Sequence, residues 1–297
     1  MLLIVGEAIA AFMRQLTADD DAEELTPFSG PWASGAPAIA AYTAGMLGAP
    51  AHLVAGIGQD ENGGLIRSRL RAAGVNCHES SDGHLKPTAT AWISYYPDGH
   101  REFDFRVEGT AATAVLEADL AGLPETAAWL HVSGSALLFG EPLAGTVRSA
   151  LHRAHSAGAT VSVDPNVRQE ALTAAAAARL ADVVELAEVI FPSKGELEAL
   201  GLSVAGLTRN GSIVCATDGA QGARLHTPDG AWQIPADPAD PVDTDGAGDT
   251  FAGGYIAAAM TGATPVEAAR AGSRAAAESI SVVGPMQAAF ARGPAAR

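Results

Sequence analysis

The sequence predicts an α/β protein with a mostly parallel sheet that is covered by helices on both faces. Three observations support this class. Short apolar runs alternate with alanine-rich stretches of helical length. The apolar runs are continuous, as expected of strands that are buried on both faces. With 297 residues, of which 48% are hydrophobic and 18% charged, the chain is long enough to bury a large core.

The predicted elements follow one another in strand–helix order along most of the chain, which favours parallel pairing because parallel strands need a crossover. Strands are predicted at Leu2–Val5, Ala51–Gly56, Trp129–Ser133, Thr160–Asp164, Val189–Phe191 and Ser212–Ala216. Helices are predicted at Pro37–Leu47, Gly63–Ala73, Leu143–Ala157, Thr173–Glu185 and Phe251–Met260. The first two helices are each followed by a glycine, the residue that commonly ends a helix.

One region departs from this order and predicts a second, smaller sheet. Thr88–Tyr96 and Glu102–Val107 are extended, alternating runs, and the segment 97–100 between them contains the Asp-Gly pair of a β-hairpin. Extended residues near Ala10–Arg14 and Leu25–Phe28 are expected to join this sheet. The predicted division is a main domain of residues 1–9, 31–86 and 110–297 and a small domain of residues 10–30 and 87–109.

The formal net charge of −16 disfavours partners that are themselves anionic. Nucleic acids and anionic membranes select basic surfaces, so neither is an expected partner. No apolar stretch reaches the ~18 residues that span a bilayer, and Leu2–Val5 is too short for a signal peptide. Cys77 and Cys215 have the spacing of neither a metal site nor a disulfide framework. This use of cysteine fits a reducing compartment, and we expect a cytoplasmic protein.

The most informative segment is residues 243–254, Asp-Thr-Asp-Gly-Ala-Gly-Asp-Thr-Phe-Ala-Gly-Gly. Gly246 and Gly248 permit backbone conformations and a close ligand approach that side chains would block. The helix predicted to follow would aim free N–H groups at an anion such as phosphate. Asp249 would accept a proton at the same place, and an anion cradle beside a base is what phosphoryl transfer to a hydroxyl requires. A short Gly-Ala-Gly-Asp turn alone is also a common strand-to-helix connection. The phosphoryl-transfer interpretation therefore depends on the full length of the 243–254 run.

Residues 243–254 resemble the C-terminal signature of the ribokinase-like (PfkB) carbohydrate kinases, Asp-Thr-x-Gly-Ala-Gly-Asp-x-Phe-x-Gly-Gly, at every specified position. The resemblance implies a three-layer α/β/α fold in which the small sheet is a β-lid over the sugar site. It implies that Asp249 is the catalytic base and contacts the acceptor, and that the amides of Gly246, Ala247 and Gly248 form the anion hole. It further implies ATP and Mg²⁺, with K⁺ as a further candidate, and a candidate homodimer formed through the lid.

Two arginines are implied in acceptor binding. The segment 164–168, Asp-Pro-Asn-Val-Arg, resembles the Asp-Pro-Asn-x-Arg motif of the fructokinase and 2-keto-3-deoxygluconate kinase branch, in which the arginine faces the sugar. The resemblance therefore implies that Arg168 binds the acceptor. Arg106 lies in a segment similar to one whose arginine contacts substrate in keto-acid sugar kinases, and Gly35 lies in the N-terminal sugar-binding signature. Two guanidinium groups would suit a carboxylate or a polyhydroxylated ketose, because the planar fork can bind two oxygens.

The nucleotide and metal contacts are also implied by resemblance. Neither a Rossmann fingerprint nor a P-loop occurs in the sequence. Glu196 would organise Mg²⁺ through water, and Asp243 and Asp245 would lie beside a monovalent cation. The nucleotide would be contacted by Ser193, Thr217, Gly219, Gly222, Gly248 and Ser273.

Two positions on the acceptor side depart from the family pattern. Ala11 and Ile39 stand where the family usually has an aspartate and an asparagine that bind sugar hydroxyls. Three functions therefore remain open: a kinase of a small sugar or sugar acid, a nucleoside kinase, and a non-catalytic sugar-binding relative of the kinases. Asp249 and the complete anion cradle favour a kinase, since a protein that only binds sugar has no need of a base.

Overall fold

A computed structural model describes residues 1–16, 26–98, 100–168 and 172–290. In these residues the strands are β1 (Leu2–Val5), β2 (Ile9–Gln15), β3 (Ser29–Ser34), β4 (Ala51–Ala55), β5 (Asn76–Glu79), β6 (Ala89–Tyr95), β7 (Arg101–Arg106), β8 (Trp129–Ser133), β9 (Thr160–Asp164), β10 (Val189–Ile190), β11 (Ile213–Thr217), β12 (Ala223–Thr227) and β13 (Gly230–Ile234). The α-helices are α1 (Ala36–Met46), α2 (Glu61–Ala72), α3 (Ser135–Leu138), α4 (Leu143–Ser156), α5 (Ala174–Glu185), α6 (Glu196–Ala199), α7 (Val204–Arg209), α8 (Ala247–Ala259) and α9 (Pro265–Ile280). None of the described helices combines the length and apolarity needed to cross a bilayer.

The larger sheet has nine strands in the order β13-β12-β11-β10-β9-β8-β1-β4-β5. The strands from β11 to β5 in this order pair in parallel, whereas β12 and β13 form an antiparallel hairpin at one edge. The predicted mostly parallel sheet is confirmed. The sequence does not predict strands β5, β12 and β13, because they carry polar side chains and lack the continuous apolar runs of the central strands.

Strand β1 shows why the central strands are apolar at every position. Leu2 and Ile4 pack into a core shared with α1, α2, α8 and α9, whereas Leu3 and Val5 pack into a core shared with α4 and α5. All four side chains are at most 1% exposed. Successive side chains of a strand point to opposite faces, so a strand with helices on both sides must be apolar throughout.

The second sheet has four strands in the order β3-β2-β6-β7. Strands β2 and β6 pair in parallel, and the two outer pairs are antiparallel. The predicted hairpin joins β6 to β7, with the Tyr96 N–H donating to the His100 carbonyl oxygen at 2.9 Å. Strand β3 begins at Ser29, after the extended segment predicted at Leu25–Phe28, of which Leu25 lies outside the described residues. Pairing with β2, and not the β propensity of the earlier segment, decides which residues form this strand.

Helix α8 begins at Ala247, earlier than the predicted start at Phe251. Gly246 has a φ of 72° and precedes the first helical residue. The Thr250 N–H donates to the Gly246 carbonyl oxygen, so the N–H groups of Ala247, Gly248 and Asp249 are free of intrahelical bonds. The predicted start was late because glycine and aspartate have low intrinsic helix propensity. The earlier start places the amides of Ala247 and Gly248 and the carboxylate of Asp249 in the first turn of one helix.

Gly134 allows the segments that follow β8 and β9 to meet at the carboxyl edge of the larger sheet. Its N–H donates to the Asp164 carbonyl oxygen at 2.8 Å. A Cβ atom at position 134 would overlap the carbonyl oxygen and carbon of Pro165. The absence of a side chain at Gly134 therefore sets how closely the 164–168 segment approaches its neighbour.

We predict that Gly134→Ala destabilises the protein, because the backbone atoms that the new methyl would strike cannot rotate away. Overpacking of this kind costs roughly 1–3 kcal/mol of unfolding free energy. Gly64→Ala is the matched control, since a Cβ there would meet nothing within 4 Å and Gly64 is exposed in α2. Alanine should stabilise that helix by up to about 1 kcal/mol. Urea unfolding of both variants measures the difference, and equal unfolding free energies would contradict the close approach at Gly134.

Candidate active site

Polar side chains converge at the carboxyl edge of the parallel strands. Asp164 is the last residue of β9, Asn166 and Arg168 follow it, and Asp249 lies in the first turn of α8. These residues line a cleft of about 750 Å³. In open parallel α/β sheets, this edge is where ligands bind. The cleft is therefore the candidate active site.

Most of the site residues predicted from the sequence line this cleft. They are Arg168, Ser193, Glu196, Thr217, Gly219, Gly222, Asp245, Gly246, Ala247, Gly248, Asp249 and Ser273. Three other predicted residues, Gly35, Arg106 and Asp243, are not among the residues that line it.

Asp249 is half-buried at the base of the cleft. Its Oδ1 accepts a hydrogen bond from the Asn166 side-chain amide at 3.1 Å. The pKa of Asp249 is raised to about 7, chiefly by burial; the charge of Arg168 opposes this rise, and the nearby carboxylates of Asp245, Glu7 and Glu196 add to it. A carboxylate with a pKa near neutrality can accept a proton and release it at neutral pH.

Asn166 owes its position to an unusual backbone conformation. Its φ is 42°, in the left-handed region that asparagine tolerates better than most residues. The Asn166 N–H donates to Asp164 Oδ1 at 2.9 Å, which closes a turn and directs the amide toward Asp249. Burial, and then the charges of Glu196 and Asp249, raise the pKa of Asp164 well above its ordinary value.

Glu196 connects two of the loops that border the cleft. Its Oε1 accepts from the Val167 N–H at 2.8 Å, and its Oε2 accepts from the Ser193 N–H at 2.7 Å. Burial raises the pKa of Glu196. Each carboxylate oxygen has a second acceptor position, so the side chain can also bind a water molecule.

Arg168 supplies positive charge among these carboxylates. Its Cζ atom lies 5.6 Å and 5.7 Å from the ring centroids of Phe103 and Phe105 on β7. Its Nε is buried and has no hydrogen-bond partner among the residues that the structure describes. A guanidinium group that lines the cleft is suited to an anionic or hydroxyl-rich ligand.

Arg106 is placed away from the cleft, on the other face of the small sheet. It donates to Asp104 Oδ2 through Nε at 3.1 Å and Nη2 at 3.0 Å, and it lies over the Trp92 ring. Arg101 and Phe103, from the same strand, line the cleft instead. Side chains of a strand alternate between faces, so odd-numbered residues of β7 face the cleft and even-numbered ones face away. This alternation was the signal that would have found Arg101.

Gly35 and Asp243 support the site from outside the cleft. Gly35 precedes α1 with a φ of 105°, and a Cβ there would lie 2.8 Å from the Glu7 carbonyl oxygen. The Asp243 carboxylate accepts hydrogen bonds from Tyr95, Asp245 and Gly284. Burial raises the pKa of Asp245, which lines the cleft, to about 6. Across the described ranges, no group of three or more His, Cys, Asp or Glu side chains is arranged to hold a metal ion.

Glu7 was not predicted as a site residue, yet it belongs to the same group of carboxylates. It follows β1 and is 1% exposed. Ser135 Oγ donates to Glu7 Oε1 at 2.6 Å, whereas Oε2 is buried without a partner among the described residues. Burial raises the pKa of Glu7 to about 7. A carboxylate directly after a buried strand was the available sequence signal.

The fold and this cleft define an α/β phosphotransferase with a small sheet beside the site. The chain belongs to the pfkB family of carbohydrate kinases, whose family model matches residues 32–289. The protein is therefore a carbohydrate kinase, as the 243–254 segment indicated.

Individual relatives agree with this assignment. The chain is 34% identical over 238 residues to fructokinase-2 of Zea mays, covering 75% of this chain and 69% of that protein. It is 31% identical over 245 residues to fructokinase of Salmonella typhimurium, covering 78% of each. Among solved structures, an E. coli protein described as ribokinase II, in complex with ATP and Mg²⁺, has a TM-score of 0.87 and 27% identity, covering 97% of this chain and 95% of that one. The predicted ribokinase-like fold is thereby confirmed.

We predict that Glu7 makes the folded state less stable as the pH rises from about 4.5 to about 7. Its pKa in the folded protein, about 7, is above the ordinary value of 4.5, so the folded state binds this proton more tightly than the unfolded state does. The contribution is fully present below the ordinary pKa and is lost as the pH rises through the folded one. At 1.36 kcal/mol per pH unit, the loss is about 3 kcal/mol.

Glu7→Gln should lack this part of the pH dependence, because the amide does not titrate. Urea unfolding at several pH values between 4.5 and 8 measures it, with Glu61→Gln, at an exposed residue of α2, as the control. The free-energy difference between Glu7→Gln and the wild type should change in favour of the variant as the pH rises. A difference that stays constant over this range would contradict the burial of an ionisable Glu7.

Proposed function

We propose that this kinase transfers the γ-phosphoryl group of ATP to a hydroxyl of a small sugar or sugar acid, with Asp249 as the general base. One observation carries the proposal: Asp249 and the free amides of Ala247 and Gly248 share the first turn of α8, directly after Gly246, and all four residues line the same cleft. The base and the anion cradle therefore act on adjacent atoms of one transition state.

In the proposed step, the acceptor hydroxyl gives its proton to Asp249 while its oxygen attacks the γ-phosphorus, and ADP leaves on the opposite side. The amides of Gly246, Ala247 and Gly248 stabilise the negative charge on the phosphoryl oxygens. The Asn166 amide, which donates to Asp249 at 3.1 Å, orients the carboxylate toward the acceptor. Most of the acceleration in such reactions comes from positioning and electrostatic stabilisation.

The other end of the cleft suits a nucleotide. It is lined by small residues on two loops and on α9, and the family relative from E. coli binds ATP with Mg²⁺. The proposed nucleotide contacts are Ser193, Thr217, Gly219, Gly222, Gly248 and Ser273. A cleft of about 750 Å³ is within the range typical of small-molecule sites.

Glu196 is the residue proposed to hold Mg²⁺ through water. Mg²⁺ keeps several of its waters and takes few direct carboxylates, and each Glu196 oxygen has an acceptor position left for such a water. When bound, Mg²⁺ would neutralise charge on the nucleotide phosphates. A monovalent cation beside Asp243 and Asp245 stays a prediction. The two oxygens of Asp243 already accept three hydrogen bonds from the protein.

On the acceptor side, Arg168 is proposed to bind a carboxylate or a pair of hydroxyls through its guanidinium group, whose Nε has no partner among the described residues. The fructokinases of Zea mays and Salmonella typhimurium make a ketose the first acceptor to test. Arg101, which lines the cleft, takes the place that the sequence had suggested for Arg106.

A nucleoside kinase is the second candidate, and a specific observation favours it. Ala11 is fully buried in a cluster with Met13 and Ile93, and Ile39 is 3% exposed and packs against Gly246. Apolar side chains thus stand at two positions where family members usually have polar ones. A less polar pocket would suit a nucleobase better than a second polyol. The same observation would fit a relative that binds sugar without transferring phosphate.

We predict that Asp249→Asn lowers kcat by roughly a hundredfold or more, because the amide cannot accept the hydroxyl proton. The affinity for ATP should change little, since the amides of the anion cradle remain. Asp229→Asn, in the exposed turn between β12 and β13, is the matched control and should keep wild-type kcat. Steady-state kinetics with isothermal titration of ATP measures both quantities. Near-normal turnover in Asp249→Asn would remove Asp249 from the mechanism.

The three candidate functions are separated by a substrate panel. ADP release is measured with ketoses, keto-deoxy sugar acids and nucleosides as acceptors, and the phosphorylated product is identified by mass spectrometry. We expect the highest kcat/KM with a ketose or a keto sugar acid. A preference for nucleosides would favour the second candidate. Sugar binding detected by calorimetry without any product would favour the non-catalytic relative.

A further inference from the structure

We propose that Tyr95 is a positioning residue for phosphoryl transfer, whose hydroxyl holds the carboxylate of Asp243 and couples the small sheet to the loop that carries the anion cradle. The proposal rests on the function proposed above for the same cleft. In addition, the Tyr95–Asp243 contact would link closure of the small sheet to the position of the amides at residues 246–248.

Asp243 joins three parts of the molecule through one buried carboxylate. Its Oδ1 accepts from the Tyr95 hydroxyl of β6 at 3.0 Å and from the Asp245 N–H at 3.0 Å. Its Oδ2 accepts from the Gly284 N–H, in the segment after α9, at 2.8 Å. The Asp243 N–H also donates to the carbonyl oxygen of Ile280, at the end of α9. Of the three side-chain bonds, only the one from Tyr95 comes from the small sheet.

A second contact lies directly beside the first. Arg101 is the register partner of Tyr95 across β6 and β7, and its guanidinium lies 5.3 Å from the Tyr95 ring centroid. Arg101 Nη2 donates to Thr244 Oγ1. Two neighbouring residues of the small sheet therefore hold two consecutive residues of the loop, which leads through Asp245 to the cradle at Gly246.

A third contact approaches Asp243 from its other side. The indole of Trp32, on β3, covers Gly284, where a Cβ would lie only 2.6 Å from Trp32 Cδ2. The N–H of the same Gly284 donates to Asp243. The small sheet thus contacts the loop itself and also Gly284, whose N–H binds the loop residue Asp243.

The chemistry of Tyr95 suits a permanent donor. A phenol has an ordinary pKa of about 10, so the Tyr95 hydroxyl is protonated at neutral pH and donates to Asp243. When the small sheet moves away, Asp243 loses a hydrogen bond to a charged acceptor, a stronger type than a neutral one. The loop would then be held by fewer contacts, and the amides that it leads into would be less well placed. The cradle would therefore be complete only while the acceptor is covered, which limits transfer to water.

The test compares Tyr95→Phe with Tyr96→Phe. Tyr96 is the next residue, and its hydroxyl donates to Glu102 Oε2 within the small sheet at 2.8 Å, so the control removes the same atom without touching Asp243. In Tyr95→Phe, kcat for the best acceptor of the panel should fall by on the order of tenfold, the usual effect of losing one hydrogen bond to a charged group. The KM for ATP should change little.

A second readout separates positioning from a structural role. The ratio of ADP released to phosphorylated product should rise in Tyr95→Phe, because water gains access while the cradle is less tightly coupled to closure. It should stay at the wild-type value in Tyr96→Phe. An unchanged kcat and an unchanged ratio in Tyr95→Phe would overturn the proposal. A lower melting temperature with an unchanged ratio would also overturn it, since that result indicates a structural role alone.

Thr244→Val provides an independent variant if Tyr95→Phe folds poorly, because it removes the acceptor of Arg101 with little change in shape. The ratio should rise in Thr244→Val too, and the effects of the two variants should be non-additive if both break one coupling. Additive effects, or an unchanged ratio in Thr244→Val, would contradict the proposed coupling.

Hydrogen–deuterium exchange of residues 89–106 tests the same contact without requiring activity. Tyr95→Phe should speed this exchange relative to Tyr96→Phe, so the contact is tested even if no acceptor is phosphorylated, and equal exchange would count against it.

Discussion

The site depends on holding several carboxylates close together in a place that is shielded from water. Glu7, Asp164, Glu196, Asp245 and Asp249 all have raised pKa values, chiefly because burial disfavours their charged forms. Backbone N–H groups, hydroxyls and the guanidinium of Arg168 offset part of this cost. The arrangement keeps Asp249 near the pKa at which a general base works well at neutral pH.

Each part of the fold contributes one element of that balance. Strands β1 and β9 end at the same edge of the sheet, which brings Glu7 and Asp164 to the site. Helix α8 directs free amides and the positive end of its dipole at the cleft. The small sheet adds the aromatic rings of Phe103 and Phe105, which lie beside Arg168 and restrict the access of water to it.

The segment at the start of α8 and the positions of Ala11 and Ile39 differ in how well they match the carbohydrate kinase family. Residues 243–254 match the signature of the carbohydrate kinases at every specified position, whereas Ala11 and Ile39 are apolar and are not among the residues that line the cleft. Ala11 is buried in a cluster with Met13 and Ile93, and Ile39 is buried against Gly246. The proposed transfer chemistry and the choice of acceptor therefore depend on different residues.

The sequence by itself determined the fold class, the order of the central strands and helices, and the segment that carries Asp249 and its amides. These features are local: continuous apolar runs identify doubly buried strands, and a glycine-rich signature identifies a helix start. Only the tertiary structure decided that Arg101 rather than Arg106 borders the cleft, that Glu7 joins the group of carboxylates, and that Asp243 is bound by Tyr95. These depend on the parity of a strand and on contacts between residues far apart in the chain. The alternation along β7 separates Arg101 from Arg106, but only packing shows which face of the strand meets the cleft, and nothing in either segment alone pairs Tyr95 with Asp243.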